Sequence, residues 1–182
     1  DEDPDLRRMA VYTMGYVNAE LFAEQLAQAV QDPVMEVRKV GLEAIGYGWP
    51  PSSEKISALE YCLRDENRDV RQVAVEFLGT YEGEGGEPLL LEALRDPDDW
   101  VRVRAVEALG QNRVASAVPE LVTMMEGSNL LVQLKITEAL GRIGGDMAFQ
   151  ALLGFMSYDS SEVQAAAAVA VDRIRGEEEP LV

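Results

Sequence analysis

The sequence predicts an all-α array of antiparallel helix pairs, an α-solenoid, and three observations carry that prediction. One motif recurs at a nearly fixed interval, apolar residues within it follow a helical period, and turn-forming residues separate the segments. Of the 182 residues, 33 are acidic, 16 are basic and none is histidine, so the formal charge is −17.

The recurrence is direct in residues 32–46, 65–79 and 96–110. Each segment begins with Asp, carries a branched aliphatic five residues on, then Arg, and ends on an aliphatic-Gly pair. Taking the aliphatic as anchor gives Leu6, Val37, Val70, Val101, Val132 and Val163, separated by 31, 33, 31, 31 and 31 residues. Glycine lies nine residues after five of these anchors, at Gly15, Gly46, Gly79, Gly110 and Gly141, with Asp172 in the sixth place. That position suits a helix C-cap. Between anchor and glycine the apolar residues share one face of a 3.6-residue period, as in Val101, Ala105, Val106 and Leu109, so each segment predicts an amphipathic helix.

A second helix is predicted ahead of each later anchor, over 20–30, 54–63, 88–94, 118–125 and 147–156. Pro88 and Pro119 fall at first-turn positions that tolerate proline, and Gly, Asn, Ser and Pro fill the turns. No segment has the alternation of a strand. The stretch 83–86, Gly-Glu-Gly-Gly, lacks the strand before it and the Lys-Ser or Lys-Thr after it that a phosphate loop requires. It reads as an inter-helix turn and accounts for the one longer interval.

On these residues the chain resembles the HEAT repeat. The pattern Asp-Pro-x-x-x-Val-Arg-x-x-Ala-x-x-Ala-Leu-Gly is similar to the short repeat of the phycobilisome-lyase-like group, and residues 96–110 match it almost throughout. The resemblance implies a right-handed superhelix of helix pairs whose second helices line a concave face where ligands are held. The expected organisation is a single array over 1–176, with a partial first unit at 1–15 and later units of about 31 residues, followed by an acidic C-terminal tail at 177–182. Leu6, Met9, Ala10 and Met14 lack a preceding helix, and Ala165 through Val171 is apolar on every side. The expectation is therefore a fragment of a longer array, or end-to-end contact through an incompletely capped terminal helix.

Composition narrows the function. A charge of −17 disfavours phosphate backbones and anionic lipid, so neither nucleic acid nor a membrane is an expected partner. Without histidine the chain lacks the commonest metal ligand and general acid-base group, and no catalytic residue, cofactor or metal site is expected. The single cysteine, Cys62, shares a helix with Ile56, Leu59 and Leu63 and is expected to be packed and inert; one cysteine agrees with a cytoplasmic setting. Acid pairs such as Glu82 with Glu84 and Asp98 with Asp99 read as solvated surface, and Tyr16, Tyr47, Tyr81 and Trp49 as covers over helix ends.

Two sets of residues stand out. Asp32 and Arg38, Asp65 and Arg71, and Asp96 and Arg102 keep one spacing, as do Asp1 and Arg7. In later units both members are lost together, with Gly127 and Gln133, then Tyr158 and Gln164, in their places. They are expected to form a structural ladder tying neighbouring units. The second set is a stripe on the second helices, opposite the packed face. Polar in two units, it becomes Trp100, Val103 and Glu107, then Leu131, Leu134 and Glu138, rimmed by Arg104 and Lys135. Adjacent apolar side chains in a charged rim have the character of an interaction patch, so the expected function is a non-catalytic scaffold for a protein or peptide. The alternative implied by the resemblance is a phycobilin lyase-like or other chromophore-attachment factor.

Overall fold

A computed structural model describes residues 2–178, and within them every regular element is helical. The chain divides into two compact units, Asp1–Leu89 and Leu90–Val182. The first holds α1 (Pro4–Asn18), α2 (Ala23–Ala29), α3 (Met35–Gly48), α4 (Ser53–Leu63) and α5 (Arg68–Gly79). α6 (Gly86–Ala93) contains the division. The second holds α7 (Asp99–Gln111), α8 (Val118–Met125) preceded by a 3-10 turn, α9 (Leu130–Ile143), α10 (Gly145–Phe155) and α11 (Ser161–Glu178). The expected acidic tail thus begins inside α11, and its residues 179–182 lie outside the described residues, as does Asp1.

Local chemistry sets the boundaries. Ser52, Asn67, Asp98 and Asn129 each accept a backbone N–H of the following first turn, satisfying donors the helix cannot. At the other end of α3, the Lys55 ammonium is buried and donates to the carbonyls of Gly46 and Trp49, both at 2.7 Å. A cation there meets the negative end of the helix dipole, although burial draws the Lys55 pKa below its usual value.

Within the first unit α3 packs on α1, α2 and α5, and α4 packs on α5; in the second, α9 packs on α7, α8, α10 and α11. The anchors Val37, Val70, Val101, Val132 and Val163 are buried, as are Leu42, Leu78, Leu109 and Leu140 further along the same stripes. Each buried leucine contributes about 1.5–3 kcal/mol through the apolar surface it removes from water. Leu6, the first anchor, and Met9 are exposed.

The repeat glycines correct one expectation. Gly15, Gly46, Gly110 and Gly141 lie within their helices, and none is among the glycines with positive φ. They are contact points instead of C-caps. A Cβ on Gly15 would stand 2.5 Å from the Cβ of Ala44, one on Gly110 2.8 Å from that of Ala139, and one on Gly141 2.7 Å from that of Ala170. Glycine against alanine lets consecutive second helices approach closely. At the α3–α5 junction the partner of Gly46 is the ring of Phe77, which fills the space left by the missing side chain.

Candidate protein-binding surface

The ladder is built by arginine, but its register differs from the one the spacing suggested. Arg38 donates from Nε and Nη2 to Asp65 Oδ2 and Oδ1 at 2.7 and 2.8 Å, so its carboxylate partner belongs to the next repeat. Arg7 does the same with Asp32, at 2.7 and 2.9 Å. Toward its own repeat, Arg38 donates Nη1 to the backbone oxygens of Asp32 and Pro33. Arg71 donates likewise to the carbonyl of Asp65, and Arg102 to that of Asp96. The acid is also tied at its base, because Asp32 Oδ1 accepts Val34 N–H and Asp65 Oδ1 accepts Asn67 N–H. Arg38 therefore grips two successive inter-helix turns. The hydrogen bond from Arg7 holds the Asp32 carboxyl below the usual aspartate range against the opposing effect of burial.

Where the acids disappear the rungs are rebuilt. Arg102 pairs with Asp99 in its own helix, and the Asn129 side chain donates to the same carboxylate, so Asp99 joins the two repeats in place of an acid at Gly127. One repeat later the rung is neutral. Gln133 Nε2 donates to Met125 O at 3.2 Å and lies 3.5 Å from the Tyr158 hydroxyl, which itself donates to Met125 O at 3.3 Å. Gln164 then donates to Tyr158 O at 2.6 Å, repeating the backbone contact of the arginines.

Cys62 is buried, and burial pushes its thiol pKa up to about 12. Glu82 and Glu84 are exposed, whereas Asp98 caps α7 and Asp99 serves the rung just described. Among the described residues no group of acids and thiols is arranged to hold a metal ion, and no helix is long and apolar enough to cross a membrane. Trp49 and Tyr81 do cover helix ends: the indole donates to Ala19 O and the phenol to Ser52 O, both at 3.0 Å. Tyr16 and Tyr47 do not, because they are 84% and 81% exposed.

On the second helices of the second unit, Trp100 is 54% exposed, Leu131 is exposed and Leu134 is half-buried. Val103 departs from the expectation that all four apolar residues are open: it is 4% exposed. It lies seven residues before Gly110, on the same stripe of α7, and that stripe faces Ala139 of α9. Val103 therefore belongs to the α7–α9 contact.

The charged rim is continuous. Lys135 Nζ lies 2.6 Å from Glu107 and 3.5 Å from Glu138, Arg142 lies 2.7 Å from Glu138, and Arg104 lies 3.8 Å from Glu107. The hydrogen bond to Glu107 raises the Lys135 pKa against the lowering effect of burial. Arg142 was not among the residues singled out from the sequence, although its place four residues after Glu138 was the available signal.

The repeats and their packing agree with what comparison with known proteins gives. A family model described as HEAT repeats matches residues 1–84 and 87–172, and the chain belongs to the HEAT-repeat family. Its fold is that of an α-solenoid. No curated protein matches at the level of sequence. Among solved structures, the chain is similar to the complex of CpcE and CpcF of phycocyanin lyase from Nostoc sp. PCC7120, at 24% identity and a TM-score of 0.68; the match covers 84% of this chain and 65% of that one. It is also similar to human deoxyhypusine hydroxylase, at 26% identity and a TM-score of 0.62, over 96% of this chain and 69% of that one. A designed armadillo repeat protein in complex with the peptide (KR)4 matches at 20% identity and a TM-score of 0.59, over 95% of each chain.

Proposed function

We propose that the chain is a non-catalytic scaffold that binds a protein or peptide on the surface of α7 and α9, centred on Trp100, Leu131 and Leu134. The carrying observation is that Trp100 stays half-exposed on a helix whose other large apolar residues are buried. Around it, Glu107 and Glu138 are already paired with Lys135, Arg104 and Arg142, so the rim presents compensated charge. An apolar centre within such a rim suits a partner with a matching apolar side chain. A chemistry-bearing role has less support: the chain has no histidine, and its thiol is buried. The likeness to the lyase complex, at 24% identity, speaks for the fold.

The test is an affinity capture from native extract with Trp100→Glu as control bait, followed by measurements on purified Trp100→Ala and Leu134→Ala. If the surface binds, Trp100→Ala weakens the captured partner by roughly 30-fold, the scale of a central hot-spot residue. The melting temperature then changes little, because an exposed side chain leaves no large cavity. A sharp fall in melting temperature with unchanged affinity per folded molecule would overturn the proposal.

A further inference from the structure

The first unit carries a differently built surface on its own second helices. Tyr12 and Tyr16 of α1 and Tyr47 of α3, together with Val40, Ala44 and Glu43, line an open pocket of about 380 Å³. Tyr12 stands six residues after its repeat anchor, where α3 and α5 have Glu43 and Glu76. An aromatic ring has thus replaced a carboxylate beside a carboxylate that remains.

Three features give the pocket a definite chemistry. The close approach of Gly15 to Ala44 brings α1 and α3 together, so rings from both helices share one wall. The Tyr47 ring is set edge-on to Phe77 with centroids 4.9 Å apart, a contact that orients it. Glu43 is half-buried, yet among the described residues it has neither a hydrogen bond nor an ion pair, and no basic residue lines the pocket. This contrasts with Glu107 and Glu138, which stand at the same repeat position and are neutralised by cations. Electron-rich ring faces around an uncompensated carboxylate favour a cation that brings its own apolar stem.

We infer that the pocket of Tyr12, Tyr16, Glu43 and Tyr47 takes a lysine or arginine side chain of a basic peptide segment, with Glu43 pairing the charge and the tyrosines stacking on it. The site is independent of the Trp100 surface: it uses charge complementarity, where that surface uses apolar burial. It also differs from the general attraction that a chain of charge −17 exerts on any basic molecule, because it needs one particular carboxylate.

That distinction makes the test. A short capped peptide of alternating lysine and arginine is titrated into the isotopically labelled chain, and amide shifts are followed for the wild type, Glu43→Gln, Tyr12→Leu and Glu76→Gln. Thermal melts of each variant establish that it is folded. The expected shifts concentrate on residues 12, 16, 43 and 47, and Glu43→Gln and Tyr12→Leu each weaken binding by roughly fivefold or more. Glu76→Gln, which removes the same charge from an exposed position on α5, leaves affinity unchanged. Equal weakening by the two glutamate variants, or shifts spread over the acidic surface, would show diffuse attraction only and overturn the inference. Undiminished binding of a peptide carrying citrulline in place of both cationic residues would overturn it as well.

Discussion

At the scale of single residues, the ladder arginines matter because each holds two carbonyls or carboxylates that few other groups can reach. Arg38 and Asp65 are nearly enclosed, with side chains 8% and 5% exposed. Removing one partner strands a buried charge, so Asp65→Ala is expected to lower stability by about 3 kcal/mol, readable by chemical denaturation. Replacing both residues by apolar ones of similar volume should restore much of that loss, which would separate the cost of an orphaned arginine from the worth of the pair.

Asp32 supplies a pH test with a definite sign. Its carboxyl is depressed in the folded protein, so the stabilisation is complete above the ordinary aspartate value and is lost as pH falls through the lower, folded one. The stability gap between wild type and Asp32→Asn is therefore expected to be constant near neutrality and to close in acid. A gap that stays open at the lowest pH where the fold survives would contradict that assignment.

Among the helices, the spacing of second elements rests on glycine. Gly110→Ala puts a methyl group 2.8 Å from Ala139 and forces α7 from α9, so a loss of roughly 1–3 kcal/mol is expected. Gly154, inside α10, has open space at the same point, and Gly154→Ala should stabilise the protein by about 0.5–1 kcal/mol through helix propensity. Opposite signs for one substitution, measured by thermal melts, would establish contact geometry as the reason for the repeat glycine.

Helix positions were legible in the sequence to within a few residues because core stripes repeat: Val37, Val70, Val101, Val132 and Val163 announce themselves by period and interval alone. What was not legible was which side of a second helix meets its neighbour. Rotating by 100° per residue placed Val103 in an outward sector, but a helix packed on two sides has a narrower open face than that arithmetic assumes. The ladder register was hidden for a related reason. Each Asp lies close in sequence to one Arg and close in space to another, and only tertiary packing separates the two. Tyr12 could have been found, since it is an aromatic at a position that is otherwise glutamate in the next four repeats.

Taken unit by unit, the chain has ionic rungs in its first unit, while its second combines one rung on the Asp99 carboxylate with one that is neutral. Arg7 with Asp32 and Arg38 with Asp65 rely on carboxylates, whereas Gln133 and Tyr158 join their repeats with no acid to protonate. Acid therefore acts on the two units unequally and gives the chain a polarity of failure. Amide hydrogen exchange followed from neutral pH downward, after correction for the intrinsic rate, should show protection in α3, next to the depressed Asp32 carboxyl, falling ahead of that in α11, whose rung to α9 is neutral. Equal loss in both units would sink the idea. If the order holds, proton concentration selects which stretch of an otherwise repetitive molecule opens first, a form of addressing that identical repeats would lack.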